Sequence, residues 1–129
     1  ARATNGRQRA KRIAPTAAVL AALAAAPAHA QDLHARTAGE LAELCAAQPK
    51  DAPGTAKLNF CHGYAQAAVD AALRRAGDKK PFCLPSPAPT RQATLTEFAK
   101  WVQALPDNKG QNSQDALMRF MGQRFPCKA

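Results

Sequence analysis

From Thr37 onward, apolar residues return every three or four positions in four separate stretches, the spacing of helices with one buried face. The first opens at Thr37-Ala38-Gly39-Glu40. Threonine followed three residues later by glutamate forms a capping box, in which each side chain satisfies a free backbone N–H at the helix start. Leu41, Leu44 and Cys45 then share a face. This helix is predicted to run to about Ala47, where Pro49, Pro53 and Gly54 break the chain. The second stretch covers roughly Ala56 to Ala76. Phe60, Cys61, Tyr64, Ala65, Ala68, Ala71 and Ala72 form its broad apolar face. His62, Gln66, Asp70 and Arg74 form a polar stripe opposite, with Asp70 placed to pair with Arg74 for about 0.3 kcal/mol. Gly77 is a glycine C-cap.

Pro81, Pro85, Pro87 and Pro89 make Asp78 to Pro89 a loop, since proline fits neither a helix interior nor a central strand. A third helix follows from about Thr90 to Ala104. Its buried stripe is Leu95, Phe98, Val102 and Leu105, with Trp101 beside it. Pro106 closes it, and Asp107-Asn108-Lys109-Gly110 is turn chemistry. The fourth helix starts at an Asn112 or Ser113 cap, carries Leu117, Phe120, Met121 and Arg124 on one side, and stops before Pro126. No segment alternates like a strand and no repeat is present. The predicted fold is all-α, a small bundle of four main helices in one domain.

Residues 1–30 have a different layout. Five basic residues and no acid lie within residues 1–12, an uncharged Ala-rich run fills residues 13–26, and Ala28-His29-Ala30 follows. Basic start, short apolar middle and A-x-A end describe a secretory signal peptide. The apolar run is 14 residues long, shorter than the ~20 a spanning helix needs. Lys11-Arg12 is a poor twin-arginine motif, which favours the general secretory route. Cleavage between Ala30 and Gln31 is expected to leave residues 31–129 in the periplasm, with no stable membrane span.

That division changes the reading of charge. The chain has a net charge of +9, but residues 1–30 hold five of its 18 basic residues. The remaining 13 basic and nine acidic residues leave +4, ordinary for a small domain. Without an aromatic-plus-basic stacking motif, a nucleic-acid partner is not indicated.

Cys45, Cys61, Cys83 and Cys127 all follow the predicted leader. An even number in a short exported domain indicates disulfides. Metal ligation is poorly supported, because there is no C-x-x-C and the only adjacent Cys-His pair is Cys61-His62. No cofactor is expected. Four cysteines allow three pairings, and spacing alone does not choose between them. Helix geometry offers a preference. Cys45 is expected in the last turn of the first helix and Cys61 in the first turn of the second, so a hairpin of those helices would pair them. Cys83 precedes the third helix and Cys127 follows the fourth, so a second hairpin would bring these together at its open end.

Several blocks carry a family resemblance: Leu44-Cys45, then Phe60-Cys61-His62-Gly63-Tyr64 with Asp70 six residues on. Cys83-Leu84-Pro85, the helix ending at Leu105-Pro106, and Phe125-Pro126-Cys127 complete the set. In order and spacing they resemble the Rap/Tai family, periplasmic immunity proteins against type VI secreted amidase effectors. The resemblance implies a small helical periplasmic protein, often a homodimer, that binds a cognate peptidoglycan amidase and occludes its cleft. Some members insert a loop into that cleft. Here the corresponding candidate is Pro106, Asp107, Asn108, Lys109, Gly110, Gln111 and Asn112, an exposed polar loop between two helices.

His62 and Asp70 suit a solvated helix face better than catalysis, because no nucleophile is placed beside them. Tyr64 and Trp101 are expected to pack in or against the core. With no acid/base pair or nucleophile constellation, the residues favour a non-enzymatic protein. Two classes remain from the sequence: an amidase-binding immunity protein, and a stand-alone helical envelope protein such as a stress chaperone or assembly factor.

Overall fold

The computed structural model describes residues 32–128, so the predicted leader and its cleavage point lie outside the described residues. Four α-helices follow one another: α1 (Ala38–Cys45), α2 (Ala52–Ala76), α3 (Arg91–Ala104) and α4 (Ser113–Arg124). A single 3-10 turn, Pro106–Asn108, lies between α3 and α4. Among the described residues there is no strand, only one isolated antiparallel bridge between Thr37 and Asn112. The all-α bundle is therefore the fold, and both expected disulfides are in place.

The shortest helix is the most central. Ala38, Leu41, Ala42, Leu44 and Cys45 of α1 are all buried. A helix apolar on most of its circumference is stable only when neighbours enclose it, and α1 packs chiefly on α3 while also touching α2 and α4. The capping box forms as expected. The Glu40 N–H donates to Thr37 Oγ1 at 3.2 Å. The Glu40 carboxylate accepts from the N–H groups of Arg36 at 2.8 Å and Thr37 at 3.2 Å.

Those two backbone donors hold the Glu40 carboxyl below the usual carboxylate range. A lowered folded-state pKa stabilises the fold above the ordinary glutamate value, and this contribution is lost as pH falls through the lowered one. Glu40→Gln is accordingly expected to flatten the acid limb of the urea midpoint plotted against pH. An acid limb identical to the parent's would show that ionisation of Glu40 contributes nothing to stability.

Helix α2 begins four residues earlier than its apolar pattern suggests. Asp51 is the N-cap, accepting from the Gly54 N–H at 2.7 Å, and Pro53 falls in the first turn. No intrahelical partner is needed for an N–H there, so proline is tolerated. Gly54 serves a close approach: a Cβ on it would lie 2.0 Å from the Gln48 carbonyl oxygen. The expected chain breakers Pro53 and Gly54 are thus part of the helix start. Cys61 consequently lies in the third turn of α2 and not the first, yet it still pairs with Cys45 across a Cα separation of 5.1 Å. Cys61, Ala65 and Ala68 are buried, with Phe60, Tyr64, Val69 and Leu73 packed partly against the core. Ala71, expected on that face, is exposed. The expected Asp70–Arg74 pair does not form; the ion pairs among the described residues are His34–Asp32 and Arg124–Glu97. Gly77 caps α2 at a φ of 56°, where a side chain would be strained.

In α3, Leu95, Phe98 and Val102 are buried as expected, but Leu105 is 47% exposed. The helix stops at Ala104, and Leu105 adopts extended backbone that takes its side chain off the stripe. Phe98 meets Phe120 of α4 edge-on at 5.6 Å between ring centroids and Trp101 at 6.3 Å. Trp101 therefore belongs to an aromatic cluster at the α3–α4 contact. The open end of this helix pair is closed by Cys83–Cys127, by the Cys83 N–H donating to the Phe125 carbonyl at 2.8 Å, and by Arg124–Glu97 at 2.7 Å.

Candidate functional site

A helix start leaves backbone N–H groups without intrahelical partners. In α1, the Ala38 N–H donates to the Gln111 carbonyl at 2.8 Å and the Gly39 N–H to the Lys109 carbonyl at 3.0 Å. Thr37 Oγ1 takes the Glu40 N–H. Two of the three donors in this first turn are thus satisfied by the 106–112 loop. The positive end of the helix dipole reinforces these bonds to carbonyl oxygens. The Ser113 N–H donates to the Arg36 carbonyl at 3.1 Å, and Asn112 bridges to Thr37. The loop is therefore fastened along its backbone to the segment that opens α1.

Most of its described positions are nevertheless open to solvent. Pro106, Asp107, Lys109, Gly110 and Asn112 are exposed, and Gln111 is half-buried. Pro106, Asp107 and Asn108 form the 3-10 turn, and Asn112 caps α4 by accepting from the N–H groups of Gln114 and Asp115. Five of the seven positions proposed from sequence are thus exposed, and the exposed Leu105 precedes them.

Two supporting residues escaped the sequence reading. A Cβ on Gly39 would sit 3.2 Å from the Lys109 carbonyl oxygen and 3.3 Å from Lys109 Cβ, so glycine lets the loop lie directly on α1. Ser113 is 2% exposed. Its hydroxyl donates to the Ala35 carbonyl, and Tyr64 Oη lies 2.6 Å from Ser113 Oγ. With the one serine proton committed to Ala35, Tyr64 is the donor to Ser113. This buried chain ties α2, the base of the loop and the strand-like entry to α1 together. A glycine inside a capping box and a serine after an asparagine cap were the only sequence signs of either role.

The other candidates separate. His62 is half-buried, with Nε2 3.0 Å from Gln92 Oε1, and so links α2 to the start of α3. Asp70 is exposed at the rim of a cleft of about 350 Å³ between α2, α3 and α4. That cleft is lined mainly by apolar side chains, among them Val69, Leu95, Leu117 and Met121. The titratable groups on its wall are Asp70 and Arg91, and the Thr94 hydroxyl there donates to the Thr90 carbonyl at 3.1 Å. Among the described residues no three His, Cys, Asp or Glu side chains group so as to hold a metal ion, and no helix is long and apolar enough to cross a membrane.

No curated protein and no solved structure matches the chain. The family model of the Rap1a immunity proteins matches residues 37–127. That span runs from the α1 cap through both disulfides to the last cysteine, taking in the whole bundle and the fastened loop, and on this match the chain belongs to the Rap1a immunity protein family.

Proposed function

We propose that the protein is exported to the periplasm, where it binds a type VI secreted peptidoglycan amidase and occludes its cleft with the 106–112 loop. The observation that carries this reading is the family match across residues 37–127. Membership supports an immunity role, and the export pattern of residues 1–30 supports the compartment in which a wall-cutting enzyme acts. The loop is the contact surface because it is exposed yet already ordered. A segment whose backbone is fixed before binding loses little conformational entropy on docking. Inhibition by such a loop requires no turnover by the protein itself. A homodimer is the quaternary state that accompanies this reading.

Exchange of the loop charges, Asp107→Lys with Lys109→Glu, is expected to weaken inhibition of the cognate amidase by about 10- to 100-fold, the range for charged contacts at an interface. Gly39→Val, which touches no partner, is expected to weaken it in the same direction by lifting Lys109 off α1. Circular dichroism of both variants should retain the helical signal. The reading fails if the parent protein inhibits no amidase encoded beside it and its deletion never sensitises cells to a sister strain. The stand-alone envelope protein would then be the surviving alternative.

A further inference from the structure

Charge is distributed unevenly over residues 32–128. The last turn of α2 presents Arg74 and Arg75, and the chain continues through Lys79 and Lys80, all four exposed. Cys127 Sγ lies 3.7 Å from the Lys80 carbonyl, which brings the C-terminal segment and its Lys128 against this turn. Arg124 ends α4 beside them, paired with Glu97 in the middle of α3. Leu84, which lines one depression with Arg124 and Lys128, also lines the cleft that holds Arg91, exposed at the start of α3. This pole holds seven basic residues against the acids Asp70, Asp78 and Glu97. Elsewhere in residues 32–128 six basic residues balance six acids. The whole net charge of +4 therefore sits on one end of the bundle.

An apolar group stands within it. Leu84 is 53% exposed, one of two large hydrophobic side chains so placed among the described residues. It lines a surface depression together with Pro85, Arg124, Pro126 and Lys128. Cations surrounding an exposed leucine complement an anionic lipid surface, whose headgroups take the charge while the interfacial region takes the apolar group. A nucleic acid would call for stacking aromatics, and the pole exposes none.

We propose that this pole seats the protein reversibly on membranes containing anionic phospholipid. Helix α4 separates the pole from the 106–112 loop: its 12 residues correspond to about 18 Å. A protein seated this way holds the loop away from the lipid, a consequence that rests on the proposed immunity reading, whereas the seating itself does not.

The test is cosedimentation of the exported protein with phosphatidylcholine vesicles, with and without phosphatidylglycerol, over a series of salt concentrations. Binding is expected only with phosphatidylglycerol and should fall as salt rises. The triple variant Lys79→Glu, Lys80→Glu, Lys128→Glu should lose about 100-fold or more in partition coefficient, at roughly fivefold for each basic residue removed from an anionic surface. A second triple, Lys50→Glu, Lys57→Glu, Lys100→Glu, makes the same change in net charge away from the pole and should bind nearly as the parent does. Both variants keep residues 1–30 unchanged, and thermal melts check that each is folded. Equal losses in the two triples, undiminished binding to neutral vesicles, or capture by purified peptidoglycan sacculi with none by vesicles would each overturn the proposal. None of these outcomes depends on amidase inhibition.

Discussion

Full reduction is expected to unfold the protein in dilute urea, where the oxidised form remains native. The two bridges join positions 16 and 44 residues apart. Restraint of the unfolded chain by loops of these lengths is worth about 3 and about 4 kcal/mol on the chain-entropy account. Their sum is comparable to the whole stability of a small domain, about 5–15 kcal/mol. The two should differ in how they fail. Cys45 and Cys61 are 1% and 0% exposed and join α1 to α2 inside the core. Cys83 and Cys127 are exposed and fasten the proline-rich loop to the end of α4. Cys83→Ala with Cys127→Ala should therefore lower the urea midpoint while leaving a cooperative transition. Cys45→Ala with Cys61→Ala also removes two buried sulfurs, and its transition should broaden as well as shift. Equilibrium urea unfolding of the parent and both double variants measures this. A fully reduced protein within about 1 kcal/mol of the oxidised one would refute the account.

Phe98→Ala is expected to cost about 3–5 kcal/mol, the range for removing a buried phenylalanine ring. Phe98 is 0% exposed and heads the fully buried side chains by volume. It contacts Trp101 along α3 and Phe120 on α4. Its loss leaves a void at the contact that positions the two helices flanking the loop, and the surrounding backbone can refill that void only in part. The protein contains a single tryptophan, so Trp101 fluorescence reports the site directly. Its emission should shift to the red in the native baseline, and the urea midpoint should fall by the same change that circular dichroism records. A loss below about 1 kcal/mol would mean that Phe98 does not centre the core.

Short-range features were legible in the chain because they are decided within a few residues. The Thr37–Glu40 box, the Gly77 cap and the Asn112 cap each depend on side chains within three or four positions of the backbone groups they serve. The pairing of the cysteines was also legible: Cys45, Cys83 and Cys127 lie at or beyond helix ends, and the Cys45–Cys61 bridge forms although Cys61 lies two turns deeper in α2 than expected. The same local reasoning failed at Pro53 and Gly54. Their breaking tendency is an average over contexts, and at a first helical turn behind an aspartate cap it does not apply.

What only the tertiary structure decided is how these pieces are enclosed and fastened. Spacing marked Leu41, Leu44 and Cys45 as one face, but the enclosure of α1 by three helices buried Ala38 and Ala42 as well. It marked Leu105 as buried, but Leu105 lies just past Ala104, the predicted and observed helix end, and its extended backbone turns that side chain outward. The 106–112 loop could be read as polar and exposed. Its attachment to α1 could not, because the carbonyls of Lys109 and Gln111 meet N–H groups some seventy residues away in the chain. Hydrogen-bond partners at that separation are selected by the packing of the whole bundle, and no local pattern in the sequence carries them.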